Sequence, residues 1–393
     1  MKKHRLKLHA LLATLFVFII TGGLGLIAIS LKVFDPFEQA FRDFDYTNIY
    51  YSKFRKNSNK IDNDIIIVNC GNLQRDSIAL MLSKIKDQQP KAVGIDLYFK
   101  GRKDILSDSL LKSVLNEMKN PILPYIVNDN DGIVNIKDCP DPYFGNFNEG
   151  YSNFIGEDDT AETIRSLKPY ILFGNEIYFS FAAAVAIAAD SNIYNNLLIR
   201  GNKTEIIHYR NAEFRHLDVK ELFRIDSSQQ VLKNKIVLVG YMGKSISALP
   251  DLEDNHFTPM NPRVSGRTFP DMYGVVIHAN IISMMLHGDY INLAPNWLTW
   301  LIAFVLCYFH MIFFIYMFAR HHKWFHFTGK LLQFVSSALL VYISLLLYEH
   351  YNYKISIILA IANILLSIDL IYFYEGLALW VAKKMKIKSY FLK

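Results

Sequence analysis

Four apolar runs constrain this chain more than anything else in it. Residues 10–31 hold 22 positions without a charge, and 297–319 hold 23. Residues 331–348 add 18, and 355–374 add 20 with a single acid, Asp369. About 20 mainly apolar residues span the hydrocarbon layer of a bilayer. A backbone crossing it must satisfy its own hydrogen bonds, so each run is expected to be a helix. The prediction is four membrane spans, one in front of a long segment of ordinary composition and three behind it. The first run is too long for a signal-peptide core, and no small-x-small site precedes "LKVFDPF", so it reads as an uncleaved anchor. "IYFSFAAAVAIAA" at 177–189 has only 13 residues, which favours a buried soluble helix over a fifth crossing.

Basic residues set the orientation. The amino-terminal flank 1–9 carries Lys2, Lys3, Arg5 and Lys7, and the segment 320–330 carries Arg320, Lys323 and Lys330. The tail "VAKKMKIKSYFLK" carries five lysines and no acid, while "EHYNYK" is neutral. This places 1–9, 320–330 and 375–393 in the cytoplasm, with both termini inside the cell membrane. Residues 32–294 are then extracytoplasmic. They hold 29 basic and 33 acidic residues, a net of −4, so the formal +6 of the chain belongs to its membrane flanks. A nucleic-acid partner is therefore not expected despite the basic total. Cys70 and Cys139 fall in the exported part, where a disulfide is allowed but not implied, and Cys307 falls in a span. No cysteine spacing suggests zinc or an iron–sulfur centre, and no cofactor is expected.

Within the exported part the hydrophobic period alternates between strand and helix. "DIIIVNCG" reads as a β-branched strand, "LQRDSIALMLSKIKDQQ" as a helix with Ile78, Leu82 and Ile85 on one face, and "PKAVGIDLYF" as a strand. That is one parallel crossover unit. "LSDSLLKSVLNEMKN" with "PILPYIV" continues the pattern, and "KNKIVLVGYMG" gives a later strand. "VVIHANIISMMLHG" is a helix closing at Gly288. The fold class is α/β, a mainly parallel sheet covered by helices, with loops and short strands over 128–175. Residues 32–60 read as a helix continuing out of the first span.

These pieces resemble, in order, the CHASE2 family of extracytoplasmic sensory domains. The segments are "DIIIVNCG" followed by Arg75, "PKAVGIDLYF", "GYSNFIGEDDTAETIR", "IIHYRN", "LKNKIVLVG", "HFTPM" and "GVVIHANIISMMLHG", over about residues 35–290. The resemblance implies a module that binds a signal outside the cell and passes its state across the membrane, commonly to a kinase or cyclase. Only 19 residues follow Tyr374, so the expectation is a signal relayed through a separate membrane or cytoplasmic protein. Asn69 and Cys70 stand where the family commonly ends its strand in a carboxylate.

Ligands of open α/β sheets bind beyond the carboxyl ends of the strands. That places Asn69, Gly71, Arg75, Asp96, Gly240 and Lys244 on the candidate face. Asp96 sits in an apolar strand and needs a partner if buried; an arginine is the expected one, ligand contact the rival. His278 lies on an apolar helical face and reads first as a satisfied core histidine, second as a ligand contact. Asn280, Arg165 and Arg210 complete the candidates, and Thr258-Pro259 reads as a turn with a local hydroxyl contact. "GYMGKS" lacks the glycine spacing of a phosphate loop, and no histidine has the partners of a zinc hydrolase. Asp369 near the end of the last span is a candidate for coupling. The leading reading is a membrane-anchored sensor or accessory subunit that takes a small molecule or an envelope protein, with a homodimer left open. A structural subunit of a membrane complex is the alternative. An envelope enzyme is the weaker one, since no nucleophile–base pair is visible.

Overall fold

The computed structural model describes residues 2–30, 45–54, 61–130, 133–156, 163–209, 213–226, 229–244, 253–261, 269–386 and 388–391. Two compact units emerge: Asn48–Ile291, and Met1–Thr47 together with Asn292–Lys393. Most of the helix expected over 32–60 lies outside the described residues. What is described there is a helical turn at Tyr46–Ile49 and a π-helical turn at Tyr50–Phe54.

The second unit opens with α1 (Lys2–Ser30), the first of four helices long and apolar enough to cross a membrane. The Asn48–Ile291 unit is built on a seven-stranded sheet among the described residues. Its elements are β1 (Asp62–Asn69), α2 (Arg75–Asp87), β2 (Ala92–Ile95), α3 (Ile105–Glu117), β3 (Pro121–Asn130), β4 (Ile133–Lys137), β5 (Asn148–Tyr151), α4 (Phe181–Ala189), β6 (Phe214–Asp218), β7 (Ile236–Gly240) and α5 (Gly274–His287). The strand order is β6-β1-β7-β2-β3-β4, with β5 also paired to β3. Every pairing is parallel except the β3–β4 hairpin. A sheet covered on both faces needs strands that are apolar on both sides. β1 meets this with Ile65, Ile66, Ile67 and Val68, all buried.

One face is covered by α2 and α3. α2 buries Ile78, Leu82 and Ile85, the predicted stripe, and α3 buries Leu111, Val114 and Leu115. Asp104 caps α3 by accepting the Ser107 N–H at 2.9 Å. The other face is covered by α4 and α5. α4 starts so close to β5 that a Cβ on Gly150 would meet the Phe181 backbone at 2.6 Å. Backbone cannot yield as a side chain can, which is why glycine stands there. α5 ends at Gly288 in the left-handed conformation, φ +64°, as the sequence suggests.

The apolar stretch 177–189 is not one helix. Glu176–Phe179 is a strand paired with Tyr170–Phe173, and Ser180 then caps α4 by accepting the Ala183 N–H at 3.2 Å. Aromatic and β-branched residues before the serine suit the strand, and the alanine run after it suits the helix.

The remaining helices are α6 (Asn296–Arg320), α7 (His322–Tyr351) and α8 (Ile358–Met385). They and α1 share a core of Ala10, Ala13, Val17, Met311, Phe314, Phe325, Ile368 and Ile371. Polar side chains bridge between helices: Thr21 to Asn363 at 3.0 Å, His310 to Ser336 at 2.8 Å, and Gln333 to the Ile364 carbonyl at 2.5 Å. Phe334, Leu339, Ile343, Trp297 and Trp300 face outwards, a surface suited to lipid and not to water. The segment 320–330, read as a loop, is mostly helix. His321 alone separates α6 from α7. α8 also continues past Tyr374, since 375–385 are good helix formers. Asp369 therefore lies within the helix, not at its end, and its partner is Lys330 at 3.4 Å, with both side chains exposed. Cys70 and Cys307 are buried and Cys139 is exposed; all three are free.

Candidate functional site

The loops leaving β2, β5 and β7 open onto one cleft of about 450 Å³. Asp96, Leu97 and Tyr98 come from the end of β2, Ser152, Asn153 and Phe154 from the end of β5, and Tyr241 from the end of β7. Glu253, Asp254 and His256 close one side, and α5 supplies Gly274 and His278. All three strands are parallel, so their carboxyl ends converge by construction. This is the position at which open α/β sheets receive ligands.

Asp96 is tied to the sheet by its backbone, whose N–H donates to the Val239 carbonyl at 2.7 Å. Among the described residues no basic side chain pairs with its carboxylate. Its surface is partly open to the cleft, but protein atoms crowd it on every other side. Burial, followed by the negative charge of Asp254, pushes its carboxyl up from an ordinary value near 3.8 to about 7. Among the described residues the arginine partner expected from the sequence is missing, and Arg75 is already committed. Its guanidinium bonds Asp108 at 2.5 Å and the carbonyls of Lys100 and Gly101 at 3.0 and 2.8 Å, and it lies over the Phe144 ring.

His278 is 3% exposed. Its ring lies tilted against Phe154, with centroids 4.7 Å apart, and meets Phe181 edge-on at 5.0 Å. Nδ1 has no hydrogen-bond partner. This differs from the satisfied core histidine read from the apolar helical face. Burial first, then the neighbouring His256, lower its pKa to about 3, against the opposing main-chain hydrogen bond of Ser152. The ring is neutral at any physiological pH. On the rim, His256 Nε2 lies 3.5 Å from Asp254 Oδ1, and the hydroxyls of Tyr98 and Ser152 share a 2.5 Å hydrogen bond. A Cβ on Gly274 would meet Asp254 Oδ1 at 3.1 Å, so glycine at the start of α5 leaves room for that carboxylate.

The other described sequence candidates lie outside this cleft. Asn69 is buried as a knot between loops. It donates to Asp218 at 3.0 Å and the Gly243 carbonyl at 3.2 Å, and it accepts from Gly71 and Met242 N–H groups. Gly71 sits at φ +50° beside the Lys244 carbonyl, and the Lys244 side chain is exposed. Gly240 packs on Val275. Arg165 reaches Asn48 at 3.4 Å. Asn280 donates to the Val276 carbonyl one turn back on α5, at 2.9 Å. Thr258 bonds Asp271 through both its N–H and its hydroxyl, at 2.8 and 2.5 Å. Arg210 lies outside the described residues. Asp96 and His278 are thus the two candidates that line the cleft. Tyr98, Ser152, Asp254 and His256 join them without having been singled out, although the acid-rich run "DLEDNHF" ahead of a histidine was a readable signal. Among the described residues no group of three or more histidines, cysteines or acids could hold a metal ion.

No curated protein and no solved structure matches the chain. A family model does: that of the CHASE2 domain, over residues 13–318. The match begins inside α1 and ends two residues short of the end of α6, taking in the whole α/β unit. With four helices fit to cross a bilayer, this is a multi-pass membrane protein with an extracytoplasmic segment, and the chain belongs to the CHASE2 domain family of non-catalytic sensory modules.

Proposed function

We propose that residues 32–294 are the sensory part of the chain, outside the cell membrane, and that the cleft between Asp96 and His278 receives the signal molecule. The observation that carries this reading is a roomy cleft at the strand ends holding an acid without a basic partner and a buried ring nitrogen without a hydrogen bond. Buried polar groups are ordinarily satisfied within the protein, and leaving them open costs stability. A ligand repays that cost. The state of the cleft passes on through α5, which carries His278 and leads along the chain into α6. The receiver is a separate signalling protein, in line with the family's habit of coupling to other components. Such coupling needs two states of the domain with different affinities for the ligand.

Two measurements test this. Cys139 is the one exposed cysteine of the three, so it reports sidedness without an engineered label. A membrane-impermeant maleimide applied to intact cells at pH 8 should modify the protein, and Cys139→Ser should abolish the labelling. Labelling only after permeabilisation would place the domain on the wrong side. For the cleft, a collection of small metabolites is screened by thermal shift against the purified full chain. At least one should raise the melting midpoint by several degrees while leaving His256→Trp, which fills the rim, unshifted. Equal stabilisation of both proteins would remove the cleft from the mechanism.

A further inference from the structure

The walls of the cleft restrict the chemistry of what can occupy it. Among the described residues that line it, three are acids, Asp96, Glu253 and Asp254, and none is a lysine or an arginine. Asp96 and Asp254 are close enough for each charge to oppose the other. Glu253 and Asp254 are exposed and Asp96 is the covered one, and a covered carboxylate ordinarily sits against a cation. Among the described residues no cation is paired with Asp96. Arg75 is held by Asp108, and Lys100 is paired with Asp138 at 2.7 Å, lying over the Tyr98 ring at 5.4 Å. A metal ion would need three or more converging donors, and no such group occurs among the described residues.

The apolar part of the lining is equally specific. Leu97, Phe154 and Tyr241 supply hydrocarbon and aromatic surface. Tyr241 meets Tyr273 edge-on at 6.2 Å, which holds its ring in place. Such walls welcome the body of an organic molecule and the face of a ring attracts a cation. His278 adds the independent observation. Its Nδ1 is buried without a hydrogen-bond partner, and in the tautomer protonated at Nε2 it is an acceptor awaiting a donor. Among the described lining residues an anion would meet three carboxylates and no lysine or arginine.

We propose that the cleft takes a small organic ammonium ion, an amine with a compact apolar body, its charge placed between Asp96 and Asp254 and an N–H turned towards His278. The assignment rests on the reading of the cleft as the sensory site and adds the class of ligand. The volume, about 450 Å³, suits a molecule of this kind.

The test uses three probes of one shape on the purified full chain in lipid nanodiscs: cyclohexylmethylamine, cyclohexanecarboxylate and cyclohexylmethanol. Isothermal titration at pH 8 should show binding of the amine alone. Asp96→Asn should weaken it at least tenfold, and Glu117→Gln, an exposed acid of α3 outside the cleft, should leave it unchanged. Asp254→Asn provides a second variant should Asp96→Asn alter folding. Binding of the carboxylate or the alcohol in place of the amine, lost in His256→Trp, would overturn the cationic assignment and leave the sensory reading standing. Amine binding that survives both Asp96→Asn and Asp254→Asn would overturn it as well. Silence from all three probes alongside a productive metabolite screen would reject the ligand class only, whereas silence in both would remove the sensory reading too.

Discussion

Replacing Arg75 with alanine should lower the unfolding free energy of the α/β unit by about 3–5 kcal/mol, the usual cost of stranding one member of a buried ion pair. The Arg75 and Asp108 side chains are 6% and 1% exposed. Arg75 ties the start of α2 to α3 through Asp108, and to the loop after β2 through two carbonyls. Asp108 also accepts the Lys103 N–H at 2.7 Å. Burial alone would raise the Asp108 carboxyl, but Arg75 and the Lys103 N–H together hold it below its ordinary value. Because the folded carboxyl is depressed, its contribution is present above the unfolded value near ~3.9 and is lost as the pH falls through the lower folded value. Differential scanning fluorimetry of the full chain at pH 8 is the measurement, and a lowered first transition is the expected result. Arg75→Met combined with Asp108→Leu should recover much of the loss, since a pair removed together leaves no stranded charge. A single variant that melts like the parent would show that the pair contributes nothing net.

Asp96→Asn should act in the opposite direction. The folded carboxyl is raised to about 7 by burial and then by Asp254, so the native domain holds a proton that the unfolded chain has already released. The stability tied to that proton is full below ~3.9 and declines as the pH rises through about 7. The other titratable groups around the cleft are Glu253, His256, His278, Tyr98 and Tyr241, and the Cys70 thiol feels the same charge. At pH 8 the ionised Asp96 therefore destabilises the fold, and a neutral asparagine of the same shape removes the cost. The expected gain is about 2–4 kcal/mol at pH 8, discounted for solvent at the cleft mouth, and it should vanish by pH 4. Melting midpoints of parent and variant across that range decide the matter. A gain independent of pH would mean the effect is packing and not charge. A stabilised variant that no longer binds its ligand is the usual exchange between stability and function at a working site.

The two aspartates could not be told apart by local sequence. Both belong to apolar stretches of the same crossover pattern, "VGIDLYF" and "LSDSLLKSVL". What separates them is the destination of one guanidinium. Arg75 could have turned to either loop, and only the packing of α2 against α3 sends it to Asp108. His278 shows the same limit. Its helix, its apolar face and its closing glycine are legible from period and turn chemistry. The missing partner at Nδ1 is not, since it depends on where Phe154 and Phe181 pack around the ring.

By itself the sequence determined the membrane spans, their count and order, the alternation of strands and helices, and the family. These rest on hydrophobic period and run length, which are local properties of a chain in contact with water or lipid. Only the tertiary structure decided that Asp96, Tyr98, Ser152, Asp254, His256 and His278 share a cleft, that Asn69 and Arg75 are held in contacts outside it, and that residues 322–330 belong to α7. The cleft is assembled from five stretches of chain between positions 96 and 278. Their meeting is dictated by the strand order, in which β7 inserts between β1 and β2. That insertion is a choice among packings of equal local propensity, made by the fit of side chains across the sheet and not by any run of residues along it.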